Sequence, residues 1–136
     1  MRSIKIFSIL LLLCFGIVTV VEAQPAAVKK AANTTFTLTT FDSNGSILST
    51  SNGVFVSNDG IGVSTWKPFV GAMKAVVTDN DGQKYDVETM LGANELYDVA
   101  KFKVAAKTHA APFAPSVAAS STAWIVVPAK VGDPIK

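Results

Sequence analysis

A lysine, an aspartate and a histidine can each move a proton in a hydrolysis, and for His109, the only histidine, and for Lys67 and Asp98 among the twelve basic and ten acidic residues, the surroundings decide what each can do. Hydrolysis by a serine needs a hydroxyl nucleophile, a histidine within hydrogen-bond reach to take its proton, an acid to orient that histidine, and backbone donors for the oxyanion. His109 is the only histidine and stands in Thr108-His109-Ala110-Ala111-Pro112, a stretch whose composition is that of a solvated loop. A solvated lysine already holds its proton near neutral pH, so Lys67 acts as a base only if burial lowers its pKa and a serine lies beside it. Its expected state is an exposed charge that pairs with a nearby acid. Asp98 precedes an apolar-alternating segment, where a carboxylate satisfies backbone donors. No Gly-x-Ser-x-Gly or Gly-Asn-Ser-Gly-Gly occurs, so no nucleophile loop accompanies these residues.

Asp79-Asn80-Asp81-Gly82 with Glu88 imitates part of a calcium loop, but Val77 occupies the first ligand position and the flanks alternate like strands. A hairpin turn is the expectation there. No metal-ligand set and no cofactor motif is expected, and the sole cysteine, Cys14, lies in the N-terminal apolar run.

The elements that must position these residues are strands. Phe36 and Leu38 alternate with threonines, and the same alternation gives strands over residues 34–41, 47–50, 54–57, 61–64, 75–78, 83–91 and 99–104. Asp42-Ser43-Asn44-Gly45, Ser51-Asn52-Gly53, Asn58-Asp59-Gly60 and Asn80-Asp81-Gly82 are expected as turns, because these residue types tolerate positive φ. Short strands so punctuated predict an all-β antiparallel barrel or sandwich over residues 34–104, with Phe36, Leu38, Phe55, Val63, Val76, Leu91, Val99 and Phe102 inside. Trp66 and Phe69 are expected in core or rim packing. Residues 24–33 are expected as a mobile N-terminal arm or one frayed helical turn, and residues 105–136 as a linker followed by an apolar strand from Trp124 to Pro128.

The segment Gly53-Val54-Phe55-Val56-Ser57-Asn58-Asp59-Gly60-Ile61-Gly62-Val63-Ser64-Thr65-Trp66-Lys67-Pro68-Phe69-Val70-Gly71-Ala72 resembles the first barrel of trypsin-like serine proteases of the bacterial Deg (high-temperature-requirement) type. The resemblance continues through Val76-Val77-Thr78-Asp79-Asn80-Asp81-Gly82-Gln83-Lys84-Tyr85 and ends at Tyr97-Asp98-Val99-Ala100-Lys101-Phe102-Lys103-Val104. It implies an antiparallel trypsin-like β-barrel, one of the two six-stranded barrels such proteases contain. It puts Lys67 in the slot of the catalytic histidine and Asp98 in that of the triad aspartate, as relict positions with no functional catalytic residue. The family order is histidine, aspartate, serine, so His109, which follows Asp98, cannot be the base.

Arg2 and Lys5 precede an apolar run over residues 6–21, and Val21-Glu22-Ala23 offers small residues to a signal peptidase, so residues 1–23 are expected as a signal peptide cleaved after Ala23. An uncleaved anchor is the alternative, and the run is near the short end of the roughly 17 to 25 residues that span a bilayer. Without Arg2, Lys5 and Glu22 the chain carries ten basic and nine acidic residues, a balance that gives no reason for binding nucleic acid or a membrane surface. The remaining residues, about 110, suffice for one domain and not for two barrels.

The expected function is a secreted or periplasmic pseudo-protease, without hydrolytic activity as this chain stands. Two alternatives are a β-module that captures extended peptides, or a second copy of itself, on an exposed sheet edge, and the truncated start of a longer trypsin-like protease. An in-phase Gly-Asn-Ser-Gly-Gly segment downstream would mark the last.

Overall fold

The computed structural model describes residues 26–116, 118–120, 123, 125 and 126. The expected leader and Trp124 lie outside the described residues. One helix and six strands follow in order: α1 (Ala26–Ala32), β1 (Thr35–Phe41), β2 (Ile47–Phe55), β3 (Ile61–Ser64), β4 (Lys74–Asp79), β5 (Lys84–Asn94) and β6 (Val99–Val104), with a 3-10 turn at Lys67–Phe69 between β3 and β4. All pairings are antiparallel, and the strands close into a barrel in the order β1-β2-β3-β6-β5-β4.

Period-two alternation fills the barrel. Along β1 the even positions Phe36, Leu38 and Thr40 are buried, and Ala75 and Val77 of β4 and Ala100, Phe102 and Val104 of β6 face them. Phe36 is the centre of an aromatic cluster, its ring centroid 4.6 Å from Phe55 and 5.7 Å from Phe102, while Phe69 reaches Phe102 at 5.5 Å. Such tilted and edge contacts add about 0.5–1.5 kcal/mol each beyond area burial.

Rings of this size need small residues opposite them. A Cβ on Gly53 would overlap the Phe36 ring, and one on Gly62 would stand 2.9 Å from Phe102 and 3.0 Å from Phe36. Gly53 is therefore not a turn glycine. Residues 51–53 lie inside the continuous strand β2, which corrects the expected break there: Gly53 pairs with both Phe36 and Ser64, and glycine in a strand marks a close approach. Ser64, also inward, donates to the Asn52 carbonyl at 2.8 Å and lies 3.1 Å from the Ser51 hydroxyl, so its burial leaves no unpaired group.

Half of the expected core holds and half is corrected. Phe36, Leu38, Phe55 and Phe102 are buried, whereas Val63 and Val76 face outward at partial exposure, and Leu91 and Val99 are 48% and 42% exposed. Val99 shares parity with Lys101 and Lys103, on the outer face of β6. Leu91 lies where β5 has outrun β4, whose pairing with it ends at Asp86.

Residues 24–33, expected as an arm or a frayed turn, contain the seven-residue α1, with Val28 and Ala32 buried. The start of the expected linker is tied to the barrel: Thr108 donates its hydroxyl to the Ser57 carbonyl at 2.7 Å and accepts the Gly60 N–H at 3.2 Å, and the Ala111 N–H reaches the Phe55 carbonyl at 2.8 Å. Of the expected strand at 124–128, Ile125 and Val126 are described, and neither is in a strand.

Candidate functional site

The 3-10 turn after β3 and the turn before β6 meet because β3 and β6 are paired neighbours, with Ser64 opposite Ala100. Lys67 heads the 3-10 turn, with Pro68 following it at a position where proline's missing N–H costs nothing. Asp98 stands at the entry to β6. Its Oδ1 accepts the backbone N–H of Trp66 at 3.0 Å and of Lys67 at 2.8 Å, and its own carbonyl receives the Trp66 N–H at 3.3 Å. Two residues 31 apart in sequence are thus joined, with the aspartate capping the turn that carries the lysine.

The cap comes with a backbone cost. Asp98 has φ of 53°, in the left-handed region that short polar residues adopt more readily than others. That conformation lets the carboxylate turn back onto two donors that open the 3-10 turn. The Lys67 side chain takes no part: it is exposed, and among the described residues its ammonium forms no ion pair within 4 Å. Neither burial nor a neighbouring serine prepares it as a base.

His109 is exposed and distant in the chain's architecture from this corner. It lies on the segment that Thr108 and Ala110 fasten to the β2–β3 turn, the Ala110 N–H reaching Asn58 Oδ1 at 2.9 Å. The structure brings Lys67 and Asp98 together and leaves His109 apart from both.

Comparison with known protein families and with curated proteins finds no match to this chain.

Asp79-Asn80-Asp81-Gly82 forms the β4–β5 hairpin turn. Asp79 Oδ1 accepts the Asp81 and Gln83 N–H groups at 3.0 and 2.8 Å, and Oδ2 accepts the Tyr85 hydroxyl at 3.2 Å. Burial, reinforced by the Asp79 charge, raises the Tyr85 phenol above its ordinary pKa. Among the described residues no three His, Cys, Asp or Glu side chains converge to hold a metal.

The β2–β3 turn holds a second polar cluster that sequence reasoning missed. The Ser57 hydroxyl donates to Asp59 and accepts the Ile61 N–H, while Lys103 donates to the Asp59 carboxylate at 3.0 Å and to its carbonyl. The Ser57 hydrogen bond first, then Lys103, pulls the Asp59 carboxyl down to about 2. This serine is engaged in holding its turn. No local signal reports such a pairing, because Asp59 and Lys103 are 44 residues apart.

Among the described residues, β5 runs past β4 from Val87 to Asn94 with β6 alone as its strand partner. Beside it lies an open groove of about 390 Å³ bordered by Phe69, Met73, Ala75, Val87 and Met90, with the Lys74–Asp86 ion pair, 3.1 Å, at its rim.

Proposed function

We propose that this protein is a non-hydrolytic relative of the trypsin-like serine proteases, a secreted or periplasmic pseudo-protease built on their first barrel. The observation that carries the reading is the junction of Asp98 with the backbone of Lys67, at the two positions the resemblance pairs as acid and base. The closed six-stranded antiparallel barrel agrees with it in strand number. With an exposed lysine where the resemblance puts the histidine, and no ion pair to it among the described residues, the site has an acid and no proton acceptor. The purified protein is expected to leave casein intact on prolonged incubation; cleavage that tracks with the protein through purification, and is lost on substitution of one serine, would refute the reading.

A second reading, capture of an extended peptide, is supported by the edge of β5 that no described strand pairs, beside the mixed polar and apolar groove. A peptide added there would gain main-chain hydrogen bonds along Val87 to Asn94, with alternate side chains entering between Met73 and Met90. If the chain is the start of a longer protease, the lysine at 67 still leaves it without the base.

A further inference from the structure

A separate cavity of about 350 Å³ opens between α1 and the segment that Thr108 fastens to the barrel. Its wall is mainly apolar, from Ala27, Ala31, Ala110 and Pro112, and its two ionisable side chains are Lys30 and His109. Among the described residues no carboxylate lines it, and neither Lys30 nor His109 forms an ion pair. Three acids stand on neighbouring segments: Asp59 follows the lining residue Asn58 and is paired with Lys103, and Asp79 and Asp81 border a smaller cavity of about 180 Å³ that shares His109, Asp79 accepting N–H groups of its own turn.

The wall has a built framework. α1 is anchored by Val28 and Ala32, the Thr34 hydroxyl donates to the Ala31 carbonyl at 2.7 Å, and Asn58 fixes Ala110 from the opposite side. A volume near the lower end of ligand pockets, about 300 Å³, limits the occupant to a body of roughly one aromatic ring and its linker. An open, mainly apolar recess with the exposed side chains of Lys30 and His109 at its wall, and no acid among its described lining residues, complements an anion that carries such a body.

We propose that this cavity binds a carboxylate borne on one compact apolar group, with Lys30 and His109 as its polar partners. The same chemistry is offered by a free aromatic or branched acid and by the last residue of a peptide. The cavity lies on elements other than the Lys67–Asp98 corner and the β5 edge, so the proposal does not rest on either functional reading.

Amide chemical shifts of the purified protein, titrated with 3-phenylpropionate, its uncharged amide, and N-acetyl-Ala-Ala-Phe, test it. The acid is expected to shift Ala27, Ala31 and Ala110 saturably, and its amide to bind about tenfold more weakly, the loss of one charge-assisted contact. Lys30→Gln and His109→Gln should each weaken the acid severalfold while leaving the barrel's amide spectrum intact. Tighter binding of the free acid than of the tripeptide assigns a small-molecule ligand, and the reverse assigns a peptide terminus. Equal affinity for acid and amide, shifts clustered instead around Met73 and Met90, or no saturation up to about 10 mM would each overturn the proposal.

Discussion

Asp98 and Asp59 show how single carboxylates organise this barrel's turns, and they fail under different conditions. Asp98→Ala removes the acceptor of two backbone N–H groups and leaves a non-glycine residue at positive φ, so unfolding in urea should show a loss of about 2–3 kcal/mol. Asp98→Asn keeps an acceptor and tolerates the same φ, so its loss should be smaller. The opposite ranking would mean that the cap is not what holds the turn. Asp59 adds a pH dependence. Its carboxyl is held down to about 2, below its ordinary 3.8, so its contribution to stability is complete above that ordinary value and disappears as pH falls through about 2. Thermal midpoints measured from pH 5 to 2 should fall less steeply in Asp59→Asn than in the parent; parallel curves would contradict the Ser57 and Lys103 contacts as the cause.

At the scale of elements, the packing of rings against glycines is the most sensitive feature. Gly53→Ala should cost about 1–3 kcal/mol through overpacking against Phe36, and pairing it with Phe36→Leu should recover part of that loss. Simple additivity in the double mutant would show the two residues to be uncoupled. The fastening of residues 105–111 is open to a similar test: Thr108→Val removes the hydroxyl that serves both Ser57 and Gly60, with an expected cost of about 1–3 kcal/mol in the same unfolding assay. Much of this architecture was legible from the chain. The Thr-Phe-Thr-Leu alternation located β1 and its inward face, and Asn58-Asp59-Gly60 and Asn80-Asp81-Gly82 located two hairpin turns. What misled was locally ambiguous. Ser51-Asn52-Gly53 has turn composition, yet the space taken by Phe36, far away in sequence, demands the glycine within a strand. At Val76-Val77 both parities are apolar, so the inward residue, Val77, is decided by pairing with β1. The lysines at 101 and 103 did carry the signal that puts Val99 outside. Thr108 offered none, since its partners are 48 and 51 residues away.

At the scale of the whole molecule, the part of β5 beyond Asp86 that β4 does not pair, and that has β6 as its only strand partner among the described residues, is the open edge of the closed barrel. Self-association through this edge should show in sedimentation at high concentration and should weaken in Leu91→Lys, because a charged residue on an edge strand opposes pairing. Monomeric behaviour of the parent at the highest attainable concentration would remove the edge as a docking surface. Under the proposed function, the Lys67–Asp98 corner is a relict protease site and performs no hydrolysis. Labelling with a fluorophosphonate probe tests it most directly when applied to the parent and to Lys67→His, which places a histidine at the residue whose N–H Asp98 accepts without supplying a nucleophile loop. Neither protein should be labelled; stoichiometric labelling of one serine in either, abolished by its change to alanine, would contradict the account.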